Sequence, residues 1–147
     1  MVEEGLVLMI QAGLGAQSLG AVPGGFGTRL PKDLLSVSTP LAWSWKSVPP
    51  FDVDIVLGGQ GSWAEWHVQI DCHAFLKELG GPGAAGAIQL ARAIDNTLRG
   101  GWQGTLSDSD HTVVEGIFRE PDFHDGEDDI VRSFVRSIEY AVQYYQI

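Results

Sequence analysis

Apolar and polar positions alternate without a slip from Ala64 to Phe75: Ala64, Trp66, Val68, Ile70, Cys72 and Ala74 on one side, Glu65, His67, Gln69, Asp71 and His73 on the other. A period of two over this length predicts a strand with one buried face and one wet face. A turn rich in Gly and Pro follows, and then the period changes. Ala84, Ala87, Ile88, Ala91, Ile94 and Leu98 recur at spacings of three and four, which predicts an amphipathic helix over 84–99. Arg92, Asp95, Asn96 and Arg99 are left toward water. A one-sided strand feeding a one-sided helix makes a two-layer unit.

The same reading extends along the chain. Val2, Leu6, Met9 and Ile10 share a helical face over residues 2–12, with Glu3 and Glu4 at its N-terminal end and Gly13 and Gly15 to stop it. Residues 14–40 are punctuated by Gly and Pro and read as irregular, with a polar surface turn at Arg29–Asp33. Strands are expected at 41–48 and 51–57, separated by Pro49-Pro50 and joined to the signature strand through a glycine hairpin at 58–62. A short edge piece at 105–107 and a strand at 111–119 follow the helix. Residues 122–129, Asp-Phe-His-Asp-Gly-Glu-Asp-Asp, read as an acidic loop, and 130–145 as a long final strand. The expected fold is α+β, a mostly antiparallel sheet of about four to five strands packed against an N-terminal helix and one main helix, in a single domain over 1–147.

Composition narrows the function. A chain of 147 residues suits one domain, able to bury roughly 70% of its unfolded surface. The net charge of −10 disfavours a tight grip on a nucleic-acid backbone or an anionic membrane. A lone cysteine, Cys72, excludes an internal disulfide. The acidic start and the lack of a long apolar run predict a cytoplasmic protein with neither signal peptide nor membrane span.

Each chemical candidate has a plain rival. Gly13-Leu-Gly-Ala-Gln-Ser18 has Ser18 where a dinucleotide loop needs its third glycine, and no strand precedes it. His67, Asp71 and His73 share a strand face, yet alternate residues lie about 6.6 Å apart, so a wet polar face competes with a metal site. Cys72 lies on the apolar side, as a small hydrophobe does, and adjacent His73 points away from it. The acids Asp122, Asp125, Glu127, Asp128 and Asp129 lack the spacing and terminal Glu of a calcium loop; they read as solvated or as a protein contact. Trp43, Trp45 and Trp66 suit a core. Trp63 and Trp102, beside glycine pairs, are candidates for a contact surface.

The opening Val2-Glu-Glu-Gly-Leu-Val7, the strand Val68-Gln-Ile-Asp-Cys-His-Ala74 with its following helix, and the late Arg136-Ser-Ile-Glu-Tyr-Ala-Val142 together resemble the tail-terminator, or tail-completion, family of long-tailed phages, prophages and gene-transfer agents. The likeness spans about residues 2–145, is best at Gln69–Ala74 and weakest over 14–40 and 108–129. Its motifs encode packing more than chemistry. The resemblance implies a virion protein without catalysis, cofactor or metal. Such a subunit forms a ring, commonly hexameric, on the head-proximal end of the tail tube. Its partners would be copies of itself, the tail tube protein and the head-tail connector or stopper, with genomic DNA passing through the lumen unbound and no membrane involved. A neck or head-completion protein is the nearest alternative. An acidic inhibitor of the nuclease-immunity kind and an enzyme built on Trp66, His67, Asp71 and His73 are the rivals from other classes.

Overall fold

A computed structural model describes residues 2–17, 19, 22–49, 53–56, 62–98, 103–107 and 112–145, with backbone alone at 53–56 and 62–63. The elements in order are α1 (Val2–Ala16), β1 (Phe26–Gly27), β2 (Leu41–Ser47), β3 (Val53–Val56), β4 (Ser62–Phe75), α2 (Gly83–Leu98), β5 (Gly104–Thr105), β6 (Val113–Asp128) and β7 (Ser133–Tyr145), with a single 3-10 turn at Lys77–Leu79. The strands form one sheet in the order β1-β2-β4-β7-β6-β5, and β3 joins beside β2 on the same edge of β4. All pairs are antiparallel except β1 with β2. The architecture is therefore α+β, with more strands than the sequence pattern counted, two of them only two residues long.

β4 is the axis of the sheet. Its even-numbered side chains, Trp66 through Ala74, are buried, as the alternation requires. They meet Ile138, Tyr140 and Val142 of β7 in direct register and Trp43 of β2 across the other edge. α2 lies on this face through Leu90, Ala91, Ile94 and Leu98, and α1 adds Leu6, Ile10 and Leu14. β2 and β3 read as one long strand broken by proline. Five residues lie between Ser47 and Val53, whereas two lie between their partners Val68 and Glu65. Proline offers no N–H to the ladder, and Pro49 follows the last β2 pairing by two residues.

Four expectations need correction. First, α1 runs through Gly13 and Gly15 to Ala16, because Gly13 is a contact point rather than a stop: a Cβ there would overlap the Thr97 side chain on α2. Gln17 closes the same contact, donating from Nε2 to the Ala93 carbonyl at 2.8 Å and to Thr97 Oγ1 at 3.1 Å. Second, Asp95 is not on a wet face. α2 is covered on two sides, by the sheet and by α1, so its buried arc is wider than its apolar stripe. Asp95 is buried, accepts from the Tyr140 hydroxyl at 3.0 Å and pairs with Arg119 at 3.4 Å. Third, His73 is buried rather than wet. Residues 26–35 cross one end of the outer sheet face, where Leu30 and Leu35 pack with Ala42, Phe75 and Val131 in a second small core.

Fourth, residues 122–129 are not a loop. β6 continues to Asp128 in register with β7, so Asp122, Asp125, Glu127 and Asp128 sit in an extended hairpin and Asp129 opens its turn. Asp125 lies directly across from Arg136, bonded to its Nε and Nη2 at 2.8 Å each. The Arg136 guanidinium also stacks 4.1 Å over Phe123. Asp128 accepts from the backbone N–H groups of Ile130 and Val131, closing a turn in which Arg132 takes a positive φ of 57°. Two irregularities interrupt β6, at Glu115 and at Glu120–Asp122, and the second contains Pro121. The last strand accordingly starts at Ser133, not at Ile130. The glycine hairpin at 58–61, Gly100-Gly101, His111 and Trp102 lie outside the described residues, as does the Trp63 side chain.

Candidate functional site

The sheet face opposite the helices carries the polar side chains of β4 and β7. Glu65 accepts from His67 Nε2 at 2.7 Å and from Gln143 Nε2 at 3.2 Å. Asp71 accepts from Gln69 at 2.7 Å and from the Ser137 hydroxyl at 2.6 Å, both through Oδ1. His73 lies between Ser133 Oγ, 2.9 Å from its Nδ1, and Ser44 Oγ, 3.4 Å from its Nε2. Of these four carboxylate and histidine side chains, Glu65 and His67 pair with each other, while Asp71 and His73 are held by Gln69, Ser137, Ser133 and Ser44 along one face of β4. The row is a hydrogen-bonded polar ladder, held by cross-strand partners rather than aimed at a common point.

Burial lowers the His73 pKa, and the nearby carboxylates of Asp71 and Asp128 offset part of that shift. The imidazole is therefore kept neutral, and its two serine neighbours are themselves buried. A catalytic Ser–His pair needs a reachable hydroxyl and a carboxylate holding the ring from behind. Here Ser44 and Ser133 are sealed in the sheet, and Asp71 spends its hydrogen bonds on Gln69 and Ser137. Cys72 is buried on the helix side, and desolvation pushes its thiol pKa far up, which removes the thiolate a nucleophile needs. Among the described residues no group of three or more His, Cys, Asp or Glu comes together as a metal cage.

A cleft of about 340 Å³ opens on this face, between Thr28–Lys32 and Lys46 on one wall and Asp128, Ile130 and Val131 on the other, with Asp71 and His73 at its floor. It continues across β4 and β7 toward His124 and Glu120 as a shallow trough. Thr28, at its lip, holds a φ of 72° while the Arg29 N–H bonds the Gly27 carbonyl at 2.9 Å, a strained three-residue γ-turn. Such an open polar trough suits contact with an extended surface better than enclosure of a small molecule.

The structure separates the sequence-predicted contact residues. Asp125 is tied to Arg136, which holds its carboxyl below the usual carboxylate range, and Asp128 is spent on the turn. Asp122, Glu127 and Asp129 are exposed on the hairpin. The Trp63 side chain and Trp102 lie outside what is described. Residues the sequence reading passed over now join the surface: Phe118 is 50% exposed, Phe123 45% and Ile130 55%, all on β6 or its turn. Phe123 was hidden inside an apparent acidic loop, although Phe118 and Phe123 both sit on a strand that Val113–Ile117 had already announced.

No protein-family model matches the sequence, and no curated protein does either. Among solved structures, a chain from the virion of a native gene transfer agent particle is similar, with a TM-score of 0.62 over 95% of both chains at 15% identity. At that identity the likeness is one of fold.

Proposed function

We propose that this chain is a structural subunit of a phage-like particle. In this reading it builds a ring, a hexamer by family resemblance, on the head-proximal end of the tail tube, which ends tube growth and offers the next face to the head connector. The observation that carries it is the end-to-end fold likeness to a gene transfer agent virion chain, in the same class of particle as the family that the sequence motifs resemble. The chemistry agrees: the sealed Ser–His contacts, the buried thiol and the self-satisfied polar ladder supply shape but no reacting group. A tube of identical subunits has no natural end, since each head-to-tail contact offers the next. A subunit that stops it needs two different faces rather than a cleft.

The charge fits passage of DNA through such a ring. Glu127 and Asp129 at the hairpin tip, with the polar face of residues 65–73, are the groups we assign to the lumen, where they repel phosphates and keep DNA sliding. Negative-stain imaging of the purified protein with tail tubes tests the main reading: small subunits capping one tube end are expected. Binding to portal-bearing heads alone supports a neck protein instead. A tight one-to-one complex with a basic nuclease, and no ring, supports an acidic inhibitor. Replacing Glu127 with Gln and Asp129 with Asn should slow DNA ejection, and unchanged ejection removes the lumen assignment.

A further inference from the structure

Away from the hairpin tip, the two outer edges of the sheet carry unlike charge. β5 pairs with β6 only at Val113 and Val114, so from Glu115 to Asp128 no described strand covers the other edge of β6. Along that open edge lie Glu115, Glu120, Asp122 and Glu127, with Phe118 and Phe123 half exposed among them. At the far end, β1 covers β2 only at Ser44 and Trp45, and no described strand pairs with the outer edge of β3. There the exposed Arg29 and Lys32 line the cleft lip across from the turn at Asp128, and Lys46 lies in the trough that Glu127 and Asp129 also line. None of the ion pairs among the described residues uses Glu120, Asp122, Glu127, Arg29, Lys32 or Lys46.

An open strand edge presents unpaired N–H and C=O groups and takes another chain unless something prevents it. Two copies of the β6 edge repel each other, because their pairing places carboxylate against carboxylate. The acidic edge instead matches the basic β1–β3 flank of a different copy. Such a contact joins unlike surfaces, so it repeats around a ring rather than closing as a twofold dimer. We infer that the free edge of β6 is an assembly surface whose occupant is a second copy of this chain, docked head to tail by its β1–β3 flank, with Glu120 and Asp122 facing Arg29 and Lys32. This rests on the reading of the chain as an assembling subunit and names the contact that reading leaves open. Phe118, on the same sheet face as His67, supplies an apolar anchor beside these charges, whereas Phe123 lies on the helix side under Arg136.

A charge swap tests it, with the full chain and native mass spectrometry at low ionic strength. Wild type is expected to form closed multimers that weaken as salt rises. The variants Glu120→Lys/Asp122→Lys and Arg29→Glu/Lys32→Glu should each be monomeric, since each opposes like charge to like. Mixed in equal amounts they should reassemble, alternating around the ring. A second readout avoids any folding defect: Asp122→Cys/Lys32→Cys should give a ladder of disulfide-linked oligomers on mild oxidation, while either single Cys variant should not. Buried Cys72 stays silent in this assay. Multimers that survive both charge reversals and yield no ladder overturn the β6 contact yet leave the assembling role intact. A wild-type chain that stays monomeric and still caps tail tubes does the same, whereas failure to cap tubes overturns the function itself.

Discussion

His73 shows how little a residue's type decides before its neighbours are known. On an alternating strand it belongs to the polar side, and it does point there, but residues 26–35 and the turn at Val131 fold over it. Its pKa is lowered in the folded state, chiefly by desolvation, so the unfolded chain binds the proton more readily. Stability is therefore fully present above the unfolded value of about 6.5 and is lost as pH falls through that value toward the lower folded one, by at most about 1.4 kcal/mol per pH unit. Urea midpoints measured at pH 7.5 and pH 5.5 should differ in wild type, and most of the difference should vanish in His73→Gln. That variant is also expected to be less stable at pH 7.5, because Ser44 and Ser133 lose a fitted partner. Trp43 makes the same point in packing. Its indole is fully buried, its Nε1 has no hydrogen-bond partner among the described residues, and the face of Gly24 lies against it. A Cβ at Gly24 would land inside the ring, so Gly24→Ala should cost about 1–3 kcal/mol and lower the melting temperature by several degrees, read by calorimetry.

Elements were legible where one period ran long. The strand at 62–75 and the helix at 83–98 followed from alternation and from three-four spacing almost to the residue. Elements that depend on a distant partner were not. The two-residue β1 exists only because β2 is beside it, and the arm of β6 only because β7 places Arg136 opposite Asp125. Carboxylates read as loop in isolation; a partner strand with a guanidinium in register turns them into a hairpin. Gly13 reversed in meaning for a similar reason. Glycine costs a helix about 1 kcal/mol relative to alanine, yet α1 tolerates it because it lets Thr97 approach. Two effects therefore compete in Gly13→Ala: a gain of helix propensity of about 1 kcal/mol and a clash with Thr97 costing about 1–3 kcal/mol. The clash should win, giving net destabilisation. Adding Thr97→Ala removes the obstructing hydroxyl and methyl groups, so the double variant should recover most of the loss. A double-mutant cycle in urea checks it; additive losses would mean that the two residues do not press on each other.

At the scale of the whole molecule, the charge of −10 is a cost to folding that the chain carries for another reason. Seven of its nineteen acids fall between Glu115 and Asp129, and only some of these support the fold. Asp125 binds Arg136 and Asp128 closes the turn, so those two are structural as well as charged. Asp122, Glu127 and Asp129 are exposed, and among the described residues no hydrogen bond or ion pair ties them down. Crowding like charges on one hairpin raises the folded state's self-repulsion, and salt screens it over about 8–10 Å. The triple variant Asp122→Asn/Glu127→Gln/Asp129→Asn should therefore fold at least as stably as wild type, with the gain largest at low ionic strength and shrinking toward 0.15 M salt. Asp128→Ala alone should instead lose about 1 kcal/mol, because the turn's two N–H groups lose their acceptor. Thermal melts of the two variants across a salt series separate the possibilities. A triple variant less stable than Asp128→Ala would mean that the exposed acids hold the hairpin together, and the assembly and lumen roles assigned to them would lose their ground. A neutral or stabilised triple variant that no longer forms multimers would place these carboxylates with the contacts the molecule makes, not with those that fold it.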